Sequence, residues 1–297
     1  MPKSWAKGLT KETDGRVARA AQAHRGKKYH RRTPIALCKF HRAGTVRTGP
    51  LEWSAEIAYA VGLVATDGCL AGSRTRIDFT SCDLDLVETF LRCVGRPDGH
   101  IWAEKGKRGP VYRARFGDLE LYRWLESVGL TPRKSLTLAS LAVPVEFIAP
   151  AIRGLIDGDG SVECYVHKPI KKVDRTYGYQ RLIVSFSSAS RVHCEWVQEV
   201  LRQRLKLRGA IHTSPRQPHH DMHQLKYGKH DSIKLLTWVY ENSENVRLER
   251  KFAVWRGFVE RETTGAVIYR RASTHRKTLR ALADAEKQIV ELSEWPE

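Results

Sequence analysis

Residues 60–68 read Ala-Val-Gly-Leu-Val-Ala-Thr-Asp-Gly, and residues 152–160 read Ile-Arg-Gly-Leu-Ile-Asp-Gly-Asp-Gly. Each copy is an apolar segment with a glycine near its start and Asp-Gly at its end. Small residues recur in and just before both copies at the spacing of one helix face, and they are Ala55, Ala58, Gly62, Ala151, Gly154 and Gly158. The pattern predicts two helices that pack closely on each other.

Three glycines, Gly62, Gly154 and Gly158, are predicted to form the contact between these helices. Glycine inside a helix costs about 1 kcal/mol relative to alanine, so its presence indicates a close approach of two backbones. Gly68 and Gly160 follow the helices, and we expect them to form left-handed terminal turns.

Asp67 and Asp159 end the two copies and are the predicted metal ligands and catalytic acids. At the carboxyl end of a helix the macrodipole is already negative. Two carboxylates brought together there repel each other, which raises the pKa of at least one of them. A divalent cation removes this conflict, and hard oxygen ligands with open positions suit Mg²⁺.

The two copies differ at two places that affect this interpretation. The first has Ala65 where the second has Asp157, and we interpret Asp157 as a structural or capping residue. Pro150 lies just inside the second copy, and proline is tolerated only in the first turn of a helix. The second helix is therefore predicted to begin near Ala149, after a separate short turn at residues 145–148.

The similarity between the two parts of the chain extends well beyond the two copies. After each copy the hydrophobic pattern alternates as in a strand and then takes the period of a helix. Further matched segments follow in the same order, and they are Phe79 with Phe186, Gly99-His-Ile-Trp with Gly209-Ala-Ile-His, Tyr112–Gly117 with His223–Gly228, and Arg133-Lys134 with Arg250-Lys251. This order predicts an α+β fold with two pseudo-symmetric αββαββα lobes, at residues 51–142 and 143–262.

The paired motif inside a duplicated lobe resembles the single-chain, two-motif LAGLIDADG homing endonucleases, over about residues 51–262. The resemblance implies a saddle-shaped antiparallel β-sheet surface for DNA. It also implies site-specific, Mg²⁺-dependent cleavage of both DNA strands that leaves 3′ overhangs, with other divalent metals such as Mn²⁺ accepted. The family usually supplies a basic residue near each phosphate, and the matched positions are Arg115 and Lys226. Arginine is a poor proton-transfer group, so a role of Arg115 would be electrostatic.

DNA contacts are expected from the exposed positions of the strands. The candidates are Arg74, Arg76, Asp78, Thr80 and Arg113 in lobe one, and Gln180, Arg181, Ser185, Ser187 and Gln224 in lobe two. Lobe two also has a longer hairpin with Lys168, Lys171 and Lys172, which should reach further along a duplex.

The net charge of +18 favours a polyanionic partner. Residues 1–50 carry 13 Lys and Arg residues against Glu12 and Asp14. This basic N-terminal extension is either a small DNA-binding segment or a disordered basic tail, and both would bind phosphates. Residues 263–297 form a C-terminal helical tail with a predicted helix over residues 279–292.

The six cysteines form no Cys-x-x-Cys pair and no apolar signal segment is present, so we expect reduced thiols and an intracellular protein. It would act in the cytoplasm or nucleoid of a bacterium or phage, or in an organelle of a eukaryote. Since one chain carries both acids, we expect a monomer that binds a long, non-palindromic duplex. Two alternatives use the same fold, namely an RNA maturase that assists intron splicing and a DNA-binding regulator that has lost cleavage.

Overall fold

The computed structural model describes residues 47–72, 76–107, 109–167, 179–216, 218, 220–265 and 272–293. The basic extension up to residue 46 lies outside the described residues, as do four predicted DNA contacts, Arg74, Lys168, Lys171 and Lys172. Lobe one contains, in order, α1 (Ala55–Thr66), β1 (Gly68–Leu70), β2 (Arg76–Ser81), α2 (Leu84–Cys93), β3 (Ile101–Lys105), β4 (Pro110–Gly117) and α3 (Leu119–Val128).

Lobe two repeats this order of elements. It contains α4 (Ile148–Asp157), β5 (Ser161–His167), β6 (Tyr179–Ser188), α5 (Arg191–Leu205), β7 (Ala210–Ser214), β8 (Met222–Tyr227) and α6 (Lys229–Tyr240). Two further helices follow, α7 (Glu249–Thr263) and α8 (Ala272–Ser293). The predicted αββαββα order of both lobes, and with it the α+β class, is confirmed.

Each lobe has one four-stranded antiparallel sheet, with strand orders β1-β2-β4-β3 and β5-β6-β8-β7. The two registers correspond residue for residue. Phe79 pairs with Ala114 in lobe one and Phe186 pairs with Leu225 in lobe two. On the opposite face, Asp78 pairs with Arg115 and Ser185 pairs with Lys226. The duplication seen in the sequence is therefore preserved in the pairing of the strands.

Helices α1 and α4 pack against each other more extensively than any other pair of described helices. A Cβ atom on Gly62 would lie 2.2 Å from the carbonyl oxygen of Ala151, and one on Gly154 would lie 2.2 Å from that of Tyr59. A Cβ on Gly158 would lie 2.0 Å from Thr66 Oγ1. At Gly62 and Gly154, backbone atoms of the facing helix occupy the space of a side chain, so a larger residue would push the helices apart. At Gly158 the Thr66 side chain occupies that space.

The glycines that follow the two helices have a different role from the predicted one. Gly68 and Gly160 do not have positive φ angles. A Cβ on Gly68 would instead lie 2.6 Å from Val64 Cα, and one on Gly160 would lie 2.6 Å from Ile156 Cα. The chain turns directly from helix into strand here, so close contact with the preceding helical turn is what requires glycine.

Helix α4 begins at Ile148, after a short 3-10 turn at Val145–Phe147. This agrees with the predicted separate turn, and Pro150 lies in the first helical turn, where proline is tolerated. At the other end, Asp157 is buried. Its carboxylate accepts hydrogen bonds from Tyr59 Oη (2.9 Å), Tyr240 Oη (3.2 Å) and the backbone N–H of Leu248 (2.8 Å). The structural role predicted for Asp157 is therefore confirmed.

The C-terminal helix α8 packs on α6 and α7 of the lobe-two side. Leu282, Ala285 and Ile289 are buried on its inner face. The helix begins at Ala272, seven residues before the predicted start at Leu279, because its polar first turns are held by contacts such as that of His275 Nε2 with the carbonyl oxygen of Glu262 (2.8 Å). Among the described residues, no helix has the length and apolar character needed to cross a membrane.

Candidate active site

Asp67 and Asp159 lie at the junction between the first helix and the first strand of each lobe. Asp67 is the C-terminal cap of α1, and its backbone N–H donates to the carbonyl oxygen of Leu63 (3.0 Å). Asp159 follows Gly158, the C-terminal cap of α4. Asp67 Oδ2 lies 3.2 Å from the position that a Cβ on Gly158 would take. The close packing of α1 on α4 therefore brings the carboxylate of lobe one next to the acid of lobe two.

The electrostatics of Asp67 show the effect of this packing. Burial and the negative charge of Asp159 raise the pKa of Asp67 to about 7. The pKa of Asp159 is also raised by partial removal of its carboxylate from water, while the positive charges of Lys251 and Lys134 oppose that shift. The repulsion predicted for two adjacent carboxylates is thus present, and near neutral pH Asp67 is only partly ionised.

A buried lysine lies beside each of the two acids. Lys134 Nζ donates to the carbonyl oxygen of Gly68 (2.6 Å), directly after Asp67. Lys251 Nζ donates to the carbonyl oxygens of Ile156, Asp157, Gly158 and Gly160, at 2.7 to 2.9 Å. The carbonyl groups of Ile156, Asp157 and Gly158 lie at the end of α4, where a helix leaves its last carbonyl groups without partners. The carbonyl group of Gly160 directly precedes β5. Lys251 therefore caps α4 and places a positive charge beside Asp159.

Burial lowers the pKa of Lys251 to about 8, and the charge of Asp157 opposes this shift. Burial also lowers the pKa of Lys134. Lysines at the positions of Lys134 and Lys251 were part of the matched Arg-Lys segments, but the sequence pattern did not assign them a role. The repetition of the segment at the end of both lobes was the signal that could have identified them.

The carboxylate oxygens of Asp67 and Asp159 suit a hard divalent cation. Among the described residues there is no group of three or more His, Cys, Asp or Glu side chains that could hold a metal ion. Mg²⁺ does not need such a group, since it is commonly held by one or two carboxylates while water and phosphate oxygens complete its coordination. Asp67 and Asp159 therefore fit the cation that the resemblance implies.

The outer face of the lobe-one sheet carries a cluster of charged side chains on β2 and β4. Asp78 is 8% exposed, and it accepts hydrogen bonds from Arg76 Nε (3.0 Å) and from Arg115 Nε. Asp78 was predicted to contact DNA, and this is corrected here, because both of its oxygens are already bound to arginines. Its position indicates that it orients the side chains of Arg76 and Arg115. These three residues form a row of charged side chains on β2 and β4.

The equivalent row in lobe two has Ser185 where lobe one has Asp78, and its charged side chains, Glu163 and Lys226, are exposed. Glu163 Oε1 accepts a hydrogen bond from Ser161 Oγ (3.1 Å). Ser185 is 1% exposed, and its Oγ lies 2.8 Å from Ser161 Oγ and accepts a hydrogen bond from Gln224 Nε2 (3.2 Å). The prediction of Ser185 as a DNA contact is therefore corrected, because its hydroxyl is enclosed by neighbouring strands.

Gln180 was also predicted to contact DNA, and the structure places it in the core. Its side chain is fully buried, and its Nε2 donates to the carbonyl oxygen of Phe258 on α7 (3.4 Å). Side chains alternate along a strand, so Gln180 shares the inner face with Leu182 and Val184, whereas Arg181 points outwards. A residue on the inner face cannot reach nucleic acid.

The other described candidates remain on the accessible face of their sheets. Arg113 donates to Thr80 Oγ1 (3.3 Å) and to Glu104 Oε1 (3.0 Å). The exposed or half-buried candidates are Arg76, Thr80, Arg113, Arg115, Arg181, Ser187, Gln224 and Lys226. They come from both sheets, and their role in binding nucleic acid stays a prediction.

Solved structures that are similar to this chain include homing endonucleases. A structure of mesophilic variants of the homing endonuclease I-DmoI shares 18% identity, spans 63% of this chain and 96% of its own, and has a TM-score of 0.43. The LAGLIDADG homing endonuclease I-SmaMI, bound to cleaved DNA, shares 13% identity over 81% of this chain and 97% of its own, with a TM-score of 0.45. The resemblance predicted from the motifs agrees with these neighbours.

A third similar structure is full-length DUF199/WhiA from Thermatoga maritima, at 14% identity over 80% of this chain and 69% of its own, with a TM-score of 0.44. No protein-family model matches the sequence. No curated protein matches it either. Similarity at this level assigns no activity to the chain.

The raised pKa of Asp67 predicts how cation binding depends on pH. A cation must displace the proton that Asp67 still holds near neutrality. We expect the affinity for Mn²⁺ to rise as the pH increases towards about 7, the pKa of Asp67, and to level off above that value. Calorimetry in buffers of different ionisation enthalpy would measure the proton release, which should fall at high pH.

Asp67→Asn is the control for this pH dependence, because it should remove the rise in affinity. The metal-free protein should show the opposite trend in stability. The folded state keeps the Asp67 proton up to about pH 7, whereas the unfolded chain loses it at lower pH. The free energy of unfolding should therefore fall as the pH rises through this interval. An affinity that is flat with pH would contradict the assignment of Asp67 as a ligand.

Proposed function

We propose that the chain is a site-specific, divalent-metal-dependent endonuclease that cleaves both strands of duplex DNA. The observation that carries this proposal is the pair of carboxylates, Asp67 and Asp159, that meet between two duplicated lobes with a buried lysine beside each. When bound, a divalent cation would supply Lewis-acid activation of the phosphodiester bond. Asp67 and Asp159 would hold it, and the repulsion between them would then be relieved.

The remaining residues bind and orient the nucleic acid in this proposal. Lys134 and Lys251 fix the carbonyl groups behind the two acids and place positive charge where the phosphate charge increases during reaction. Lys226 and Arg115 would contact the phosphates from the neighbouring strands. Because Arg115 is held by Asp78 whereas Lys226 is exposed, the two halves of the site are chemically different.

The substrate implied by these differences is a long duplex without a palindromic sequence. The row in lobe one contains Asp78 with two arginines, while the row in lobe two has the hydroxyl groups of Ser161 and Ser185 and the amide of Gln224 beside Glu163 and Lys226. The two lobes would therefore read different half-sites. A monomer suffices, since one chain carries both acids, and we propose 3′ overhangs as the product and Mg²⁺ as the cation.

The test is cleavage of a library of randomised duplexes in Mg²⁺, followed by sequencing of the ends. We expect a single enriched site with staggered ends, and no such enrichment with Asp159→Asn. Cleavage that survives this substitution would overturn the proposed chemistry. Binding of duplex without cleavage would favour the DNA-binding regulator, and binding of structured RNA alone would favour the maturase.

Substitution of Asp78 tests the predicted DNA surface separately. Asp78→Ser introduces the residue that lobe two has at the paired position, Ser185, and releases the two arginines from their carboxylate. We expect tighter binding to duplex DNA and a salt dependence steeper by about one ion, since one further cation becomes available to phosphates. Fluorescence anisotropy at several salt concentrations would measure both.

The matched control for Asp78→Ser is Asp284→Ser. It makes the same change of charge at an exposed position of α8, outside the two sheets. The control should leave the slope of affinity against salt unchanged. Equal slopes for the two variants would show that the row around Asp78 does not face DNA.

A further inference from the structure

The two lobes are joined on opposite sides of the α1–α4 contact by different chemistry. On one side, the start of α5 contacts the segment that connects the lobes. Ser190 Oγ donates to the carbonyl oxygen of Leu138 (2.5 Å), and His193 Nδ1 donates to that of Ala139 (2.8 Å). These buried contacts lie on the covalent connection itself. The opposite side has no chain connection between the lobes.

On that opposite side, the start of α2 contacts α7 through an ion pair. Arg250 Nε donates to Asp83 Oδ1 (3.1 Å) and Arg250 Nη2 donates to Asp83 Oδ2 (2.8 Å). Arg92 at the end of α2 adds a hydrogen bond to the carbonyl oxygen of Asn245 (2.6 Å). The Arg250 side chain is 62% exposed and that of Asp83 is 24% exposed, and the bidentate geometry of the pair favours one relative orientation of the two elements.

The local structure indicates that the Asp83 side chain binds Arg250 and does not cap its own helix. Asp83 occupies the N-terminal cap position of α2 but makes no capping hydrogen bond with its side chain. The equivalent residue in lobe two, Ser190, does cap its helix by accepting from the N–H of His193. A helix without a capping hydrogen bond is less stable, and here the carboxylate bonds across the lobes instead.

The ion pair is adjacent in sequence to the lysine that completes the acid site. Lys251 follows Arg250 in the first turn of α7 and donates to four carbonyl groups around Asp159. A displacement of this turn would move Lys251 from the end of α4. Arg250 also compensates the charge of Asp83, which otherwise adds a negative charge near Asp67.

We propose that the Asp83–Arg250 ion pair is a positioning contact that closes lobe one onto α7 and holds Asp67 and Asp159 at the separation that a divalent cation needs. This inference rests on the proposed function, because it concerns the cation site of that function. Arg250 and Asp83 act through Lys251 and the acid pair, so they are positioning residues and not catalytic ones.

The decisive variant is Arg250→Glu, measured by binding of Mn²⁺ to the full chain with electron paramagnetic resonance. By charge alone, a new carboxylate near Asp67 and Asp159 would strengthen cation binding. The positioning role predicts the opposite, namely weaker binding by about three- to tenfold. The exchanged pair Asp83→Arg with Arg250→Glu should recover most of the affinity, because it restores the contact with reversed charges.

Two further measurements separate positioning from a general loss of structure. Arg191→Glu makes the same charge change in an exposed ion pair within α5, where Arg191 Nε lies 2.8 Å from Glu195 Oε1, and it should not weaken Mn²⁺ binding. Arg250→Gln is the milder variant if Arg250→Glu does not fold. Hydrogen exchange should become faster in the first turns of α2 and α7 in Arg250→Gln, and not in Arg191→Glu.

The outcomes distinguish this inference from the proposed function. Unchanged or stronger Mn²⁺ binding in both Arg250 variants would overturn the positioning role and leave the proposed function intact. Faster exchange with unchanged Mn²⁺ affinity would show a merely structural contact, which also overturns it. Failure of the native chain to bind Mn²⁺ in a manner sensitive to Asp67→Asn and Asp159→Asn would overturn the proposed function and this inference together.

Discussion

Asp159→Asn is expected to slow DNA cleavage by about a thousandfold, because Lewis-acid activation contributes several kcal/mol to the reaction. Asn keeps the shape of the side chain but loses the negative charge that would hold the cation. The rate should be measured in single turnover on a plasmid that carries the selected target. Asp67→Asn should have a comparable effect, since the two acids occupy equivalent positions at the ends of α1 and α4.

The stability and DNA affinity of the acid variants provide the control for this prediction. Since the negative charges of Asp67 and Asp159 repel each other, the removal of one should leave the metal-free protein as stable as before, or more stable. Duplex affinity without metal should be kept. Asp98→Asn, at an exposed acid in the loop after α2, should cleave normally. A cleavage rate within tenfold of the native rate for Asp159→Asn would remove the basis of the proposed chemistry.

Gly62→Ala is expected to give the largest loss of stability from a single methyl group. The new Cβ would lie 2.2 Å from the carbonyl oxygen of Ala151 and 2.8 Å from Gly154 Cα. Both are backbone atoms of α4, so the two helices would have to separate. We expect the free energy of unfolding to fall by about 3 kcal/mol, and the melting temperature to fall by roughly 6 to 12 °C.

Gly72→Ala is the matched control for this substitution. No atom of the described residues lies within 4 Å of a Cβ placed on Gly72, and its backbone does not require glycine. Thermal unfolding of the two variants should therefore differ by nearly the whole expected effect. Because Gly62 lies in the helix that ends at Asp67, Gly62→Ala should also weaken Mn²⁺ binding. Equal melting temperatures for the two variants would contradict the close packing of α1 on α4.

The lobe architecture could be predicted because it is repeated. The hydrophobic pattern of each single strand or helix is short. The same order of patterns occurs in both lobes, so each copy supports the interpretation of the other. Phe79 and Phe186 were matched from sequence and occupy equivalent pairs in the two sheets. The turn before α4 was predicted from Pro150, whose ring restricts the residues around it. These are local properties, so the sequence contains them directly.

Two of the errors concern side chains whose partners lie far along the chain. Gln180 is buried because α7 supplies the carbonyl oxygen of Phe258 above it, and no pattern near residue 180 indicates this. Asp78 was interpreted as a DNA contact because it lies on the outer face of its strand. Its carboxylate is instead bound by Arg115, the residue paired with it on β4. The turn glycine Gly68 was assigned a positive φ from its position, whereas steric contact with Val64 is the reason for its presence.

The dependence of α4 on Lys251 has a consequence during synthesis of the protein. The four carbonyl groups that end α4 receive their hydrogen bonds from a residue that lies about ninety positions later in the chain. A nascent chain that has emerged from the ribosome only as far as α6 contains both Asp67 and Asp159. It does not yet contain Lys251, whose ammonium group binds the carbonyl groups at the end of α4. The proposed active site is therefore completed last, and we expect a chain that ends before α7 to lack the positive charge beside Asp159.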